Sequence, residues 1–198
     1  MQQRSEETRA RILDSAVKCF SQSGYEASGV AEICAAAGVS KGAFYHHFQS
    51  KQALFLALLE SWLVGLDERI DAAVRGTQNV PTALVTIAGQ MRGVFEDAGG
   101  RLPMFLEFWN QASHDPTVWA VTVAPYRRYQ KTFAAIIKKG MDEGSFEPGD
   151  ADTVSRILVS LAVGTLLQGV LDPQGARWDE VTQEGVRVLI NGLVRKAA

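Results

Sequence analysis

"AAAGVSKGAFYHHFQSK", Ala35 to Lys51, sets a lysine, a tyrosine and two adjacent histidines just after a glycine. Such residues serve metal binding, nucleophilic catalysis or contact with phosphate, and the local fold helps to choose. Gly38 ends a helical pattern that begins near Gly29, in which Val30, Ile33, Cys34 and Ala37 recur as one inward face. Ser40 is a good N-cap for a following helix that ends near Phe48. Phe44 and Phe48 are four apart, share a face and bury together. Ala31, Ala35 and Ala36 are expected to let the two helices approach closely, with Val39 plugging the turn. Helix, glycine turn, helix is the arrangement of a helix-turn-helix. Lys41, Gly42, Tyr45 and His46 then face away from the core, near a helix start whose free N–H groups favour anions. Gly42, lacking a side chain, admits the backbone to a base edge or sugar.

Outward from this stretch the period stays helical, and no run alternates as a strand does. A first helix is expected from about Ser5 to about Ser23, with Ile12, Ala16, Cys19 and Phe20 inward and Gly24 ending it. Ser50 caps a long fourth helix carrying Leu54, Leu58, Trp62, Leu66 and Ile70. Asn79 and Pro81 start a helix expected to reach the glycines at 99 and 100, and Pro103 opens another ending near Ser113. Asp115-Pro116 is a strong helix start. Pro125 is expected to kink or divide the helix that follows. Two last helices are expected over about Ala151–Leu171 and Trp178–Lys196. The fold class is all-α: a three-helix domain over 1–50 carrying the helix-turn-helix, joined to a larger helical domain over 51–198.

The chain of 198 residues is 46% hydrophobic, enough for a sizeable core. Its net charge of −2 argues against coating nucleic acid by bulk charge, though residues 1–51 carry +1 against −3 for the rest. Two cysteines, Cys19 and Cys34, both in helical patterns, fit a reducing cytoplasm rather than a disulfide scaffold. The polar N-terminus is unlike a signal peptide, and "ILVSLAVGTLLQGVL", bounded by Arg156 and Asp172, is read as too short and too interrupted to span a membrane.

"GYEASGVAEICAAAGVSKGAFYHHFQSKQALF", Gly24 to Phe55, resembles the DNA-binding region of the TetR family of transcriptional regulators. The resemblance is close over the first quarter of the chain; the later helices match the family's effector-binding and dimerisation domain in number and order only. It implies a bacterial protein in which Lys41, Gly42 and Ala43 lie at the major groove and Tyr45, His46, His47 and Lys51 contact phosphates. Ser28 and Gly29 stand where the family often has two hydroxyl residues, so Ser28 or the bare backbone serves there. With the cap residue Ser40, the candidate DNA-binding residues are Ser28, Ser40, Lys41, Gly42, Ala43, Tyr45, His46, His47 and Lys51. Arg4, Arg9 and Arg11 either reach the backbone beside them or form a solvated face.

Adjacent helical histidines point about 100° apart, poor for one metal ion, and no ligand spacing supports a site. No metal, cofactor or catalytic group is expected. "GVSKGA" lacks the order of a phosphate loop. Aromatic residues crowd the middle helices: Trp62, Phe95, Phe105, Phe108, Trp109, Trp119, Tyr126, Tyr129 and Phe133. Such a stripe is core or, with Glu107, Asn110, Gln111 and His114 interspersed, the lining of an apolar cavity. Phe105, Phe108, Trp109 and Tyr126 are the candidate ligand contacts. The last two helices, with Leu158, Leu161, Thr165 and Gly169, then Val181, Val188 and Leu189, either complete one core or pair with a second copy, as the family does. The leading expectation is a homodimeric repressor of a palindromic operator, released by a small, largely apolar effector. A small helical carrier or enzyme, or a protein-interaction adaptor, is the alternative.

Overall fold

The computed structural model describes residues 2–93 and 102–194, with the backbone alone for Gln2, Trp62 and Leu102. Apart from turns and an isolated bridge between Phe146 and Val194, the described residues are helical. Helix α1 runs Gln2–Ser23 and buries Ile12, Ala16, Cys19 and Phe20. Helix α2 runs Val30–Ala37, and Gly38 ends it in the left-handed conformation at φ 63°. The Val39 amide then reaches back to the Cys34 carbonyl at 3.0 Å. Helix α3 runs Lys41–His47, capped by the Ser40 hydroxyl, which accepts from the Ala43 amide at 3.1 Å. Helix α4 runs Lys51–Gly76 and α5 Val80–Gly89, their starts capped by Ser50 and Asn79.

Helix α6 is Leu102–Ala112, α7 Pro116–Asp142, α8 Ala151–Leu171 and α9 Trp178–Leu193. One expected helix boundary moves, and one expected division is absent. Helix α5 stops at Gly89, where the Gln90 amide is shared between the Thr86 and Ile87 carbonyls; positions 94–100 of the expected longer helix, Phe95 among them, lie outside the described residues. The expected end of the last helix at Lys196 also lies outside them. Helix α7 is not divided at Pro125: it continues through it, forgoing the hydrogen bond a proline cannot donate.

The chain packs as two compact units, one within Met1–Val64 and Gly100–Thr122, the other within Gly65–Gly99 and Val123–Ala198. The first therefore reaches beyond the expected boundary after residue 50. Its aromatic core explains why. Phe55 of α4 stacks on Phe108 of α6 at 4.1 Å between centroids, and Tyr25 meets both rings edge-on at 5.2 Å. Phe20 of α1 and Phe105 of α6 close the cluster. Full burial of such rings contributes roughly 1.5–3 kcal/mol each, so α6 is bound to the N-terminal helices by their largest apolar side chains.

In the second unit α9 packs on α5 and α8. Leu84, Ile87, Ile137, Phe146, Val186 and Ile190 are buried there, and the Thr182 hydroxyl donates to that of Thr165 at 2.7 Å. One sequence reading is overturned here. By length and composition helix α8 could cross a membrane, since an 18-residue stretch of it has a mean hydropathy of 1.7 in spite of Arg156. Yet much of α8 and α9 faces outward: Ile157, Val163, Leu167 and Leu171 on α8, with Val181 and Val188 on α9, are exposed.

Candidate nucleic-acid interface

The interface is built on α3, whose two sides differ. Phe44 is fully buried and Phe48 nearly so, their rings 5.9 Å apart, and they fix the helix to the core. On the other side Lys41, Gly42, Tyr45 and His46 are exposed, Tyr45 at 53% of its surface. Ala43 and His47 are half-buried at the edge. Ser40 is exposed; its oxygen caps α3, leaving the hydroxyl proton to an outside acceptor. A lysine, a phenol, an imidazole and a bare glycine thus share one solvent face, the chemistry that contacts phosphates and admits a base edge.

Cations gather beside it. The Arg9 guanidinium lies 5.3 Å from the centre of the Phe48 ring, bringing α1 to the end of α3. The His46 and His47 rings are 5.1 Å apart. Burial, then the charges of His46 and Arg9, hold the His47 imidazole below its ordinary pKa. An anion at this edge relieves that repulsion.

Two expected contacts turn inward. Ser28 is fully buried and its hydroxyl donates to the Gly24 carbonyl at 2.8 Å, so no phosphate reaches it. The Lys51 ammonium donates to the carbonyls of Tyr25 at 2.8 Å and Glu26 at 3.1 Å, and lies 4.5 Å from the centre of the Tyr25 ring. Two of its three donors are thus taken up within the protein. The closeness expected of Ala31, Ala35 and Ala36 is also absent: these residues are exposed, and Ile33, Cys34 and Ala37 make the contact instead. Burial pushes the Cys19 and Cys34 thiols up, which suits core residues rather than reactive ones.

The four candidate ligand contacts differ in burial. Phe105 and Phe108 are packed in the aromatic cluster of the first unit, Trp109 is half-buried, and Tyr126 is exposed on α7. Two proposed polar partners of that cavity are engaged elsewhere. The Glu107 carboxylate accepts from the amides of Tyr25 at 2.8 Å and Glu26 at 2.7 Å, and the Gln111 amide donates to Glu26. Sequence reasoning missed this role of Glu107. The available signal was a carboxylate set between Phe105 and Phe108, where a charge needs donors of its own.

Comparison with known proteins identifies the family and the fold. Residues 12–58 match the bacterial regulatory proteins of the TetR family, and residues 95–195 match the C-terminal region of BetI-type transcriptional repressors. The chain is 25% identical over 196 residues to the HTH-type transcriptional regulator UidR of Escherichia coli (strain K12), covering 98% of this chain and 96% of UidR. It is 29% identical over 193 residues to the HTH-type transcriptional repressor AcnR of Corynebacterium glutamicum, covering 96% of this chain and 93% of AcnR. Among solved structures, a regulator from Saccharomonospora viridis in complex with choline superposes with a TM-score of 0.78 at 23% identity, covering 96% of this chain and all (100%) of that one. FadR from Bacillus subtilis in complex with stearoyl-CoA superposes at 0.77 with 18% identity, covering 92% and 98% of the two chains. At those identities the structures speak for the fold.

Proposed function

The chain belongs to the TetR family of bacterial regulatory proteins, and from that premise we propose that it is a homodimeric repressor, released from a two-fold operator by a small ligand. The observation that carries the DNA-binding reading is the division of α3: Phe44 and Phe48 hold one side in the core and leave Lys41, Gly42, Tyr45 and His46 together on the other. Lys41, Gly42 and Ala43 read the major groove; Tyr45, His46 and His47 hold phosphates. A two-fold dimer sets two such helices about 34–36 Å apart, one turn of DNA.

The apolar face of α8 and α9 supports the dimer. Leu171 and Val188 are 69% and 64% exposed, among six large apolar residues turned outward on these two helices. Pairing with a second copy would cover them and account for the membrane-like hydropathy of α8. The ligand is taken to be small and largely apolar because aromatic residues crowd the middle helices. Within the first unit Trp109, half-buried, is freer to meet it than Phe105 and Phe108, whose rings are already packed. Release follows from linkage: a ligand that prefers wrongly spaced reading helices draws the population away from DNA. The protein would act in the cytoplasm, beside the chromosome.

Gel filtration with light scattering, and a fluorescence titration against the DNA upstream of its own gene across a salt series, test the reading together. A dimer with saturable, salt-sensitive binding is expected. A monomer whose DNA binding does not respond to salt removes it.

A further inference from the structure

We propose that Glu107 is a positioning residue for the DNA-reading helices, acting through the backbone of the turn between α1 and α2. The proposal rests on the DNA-binding reading above. The turn from Gly24 to Gly29 carries the chain from α1 into α2, and hence into α3. Its polar backbone groups are gripped from outside. Glu107 of α6 accepts the Tyr25 and Glu26 amides, one on each carboxylate oxygen, at 2.8 and 2.7 Å. Lys51 of α4 donates to the Tyr25 and Glu26 carbonyls at 2.8 and 3.1 Å. The peptide unit joining Tyr25 to Glu26 is therefore held at both ends by opposite charges, its N–H by Glu107 and its C=O by Lys51. Ser28 closes the turn on the Gly24 carbonyl.

The rest of the turn is shaped to admit that carboxylate. Gly24 has φ +84°, a left-handed conformation, and a Cβ there would lie 2.9 Å from Glu107 Oε2. The Tyr25 ring is anchored among Phe20, Phe55 and Phe108, which fixes the side chain but not the rotation of the peptide beside it. That rotation is set by charge-assisted hydrogen bonds, which are short and directional. Burial first, then the charges of Glu26 and Glu107, push the Tyr25 phenol up to about 12, so it stays neutral as Glu107 holds its amide. Glu107 reaches from the region matched by the repressor C-terminal family into the region matched by the DNA-binding family.

Glu107→Ala, compared with Glu107→Gln, tests this on the full-length protein with the same upstream DNA. Both variants are expected to bind at least tenfold more weakly with an unchanged salt slope, because no phosphate contact is lost. The glutamine keeps the shape and one acceptor but not the charge, and carries the test should the alanine variant unfold. Sodium formate, at constant ionic strength, is expected to restore most of the affinity of Glu107→Ala, and formamide is not. Hydrogen exchange at the Tyr25 and Glu26 amides should speed up in the variant and slow again with formate. Wild-type affinity in Glu107→Gln, equal rescue by formamide, or no rescue by formate of a folded Glu107→Ala overturns the proposal. A wild-type protein without salt-sensitive binding would instead remove the DNA-binding reading itself.

Discussion

Lysines 41 and 51 stand ten positions apart, and their replacement by alanine should have opposite signatures. Lys51 makes two hydrogen bonds to carbonyls and lies over the Tyr25 ring, whereas Lys41 is exposed on the outer side of α3. Hydrogen bonds from a charged donor are worth about 1.5–3 kcal/mol each when buried. Lys51 is only half-buried, so water would re-solvate the freed carbonyls, and the loss of both bonds is set at about 2 kcal/mol. For a chain of this length that lowers Tm by about 4–8 °C. The salt dependence of DNA binding should not change, since the Lys51 ammonium is engaged by the Tyr25 and Glu26 carbonyls. Lys41→Ala should leave Tm unaltered and lower the slope of log K against log salt by about 0.9, the share of one phosphate contact. Thermal melts, and anisotropy titrations from about 50 to 200 mM salt, read both quantities. A Lys51→Ala variant with wild-type Tm and a slope lower by about one would show that its ammonium faces DNA and refute the assignment.

Other outcomes follow from the same geometry. Phe44→Ala removes a fully buried ring and should cost about 3–5 kcal/mol in denaturant unfolding. Protonated His47 pairs better with phosphate, so the complex takes up protons that the free protein, with its depressed pKa, does not. DNA affinity should thus rise as pH falls from about 8 to about 6, and His47→Gln should flatten that dependence in anisotropy titrations. Leu171→Asp with Val188→Asp should yield a folded monomer by gel filtration and light scattering, with operator affinity lost; a dimer that survives both changes places the interface elsewhere.

The sequence reported well whatever is local. The caps at Ser40, Ser50 and Asn79, the glycine turn at Gly38 and the inward pair Phe44–Phe48 are read from neighbours within four residues, and the structure has each. It reported poorly what depends on distant partners. Lys51 meets carbonyls 25 and 26 positions away, and Glu107 meets amides 81 and 82 positions away. No period or motif encodes such pairings. Ser28 failed for a related reason: a hydroxyl at a helix entrance suits phosphate as well as a nearby carbonyl, and only the tight turn after Gly24 decides between them. The alanines of α2 show the limit of size as a signal, for a small side chain suits an exposed face as readily as a close contact.

Helix α8 has a consequence for the protein's life before it reaches DNA. A newly made protomer would carry, near its end, a segment with the length and hydropathy of a membrane span and no second copy against it. Such an orphan is prey for chaperones, proteases and stray bilayers until it meets its twin. With the proposed pairing, its survival would rise with the number of copies made, as mass action requires of a protomer that is covered only in the pair. In that case scarcity would remove the regulator faster than dilution alone, and the rate of synthesis would set both how much is made and how much persists.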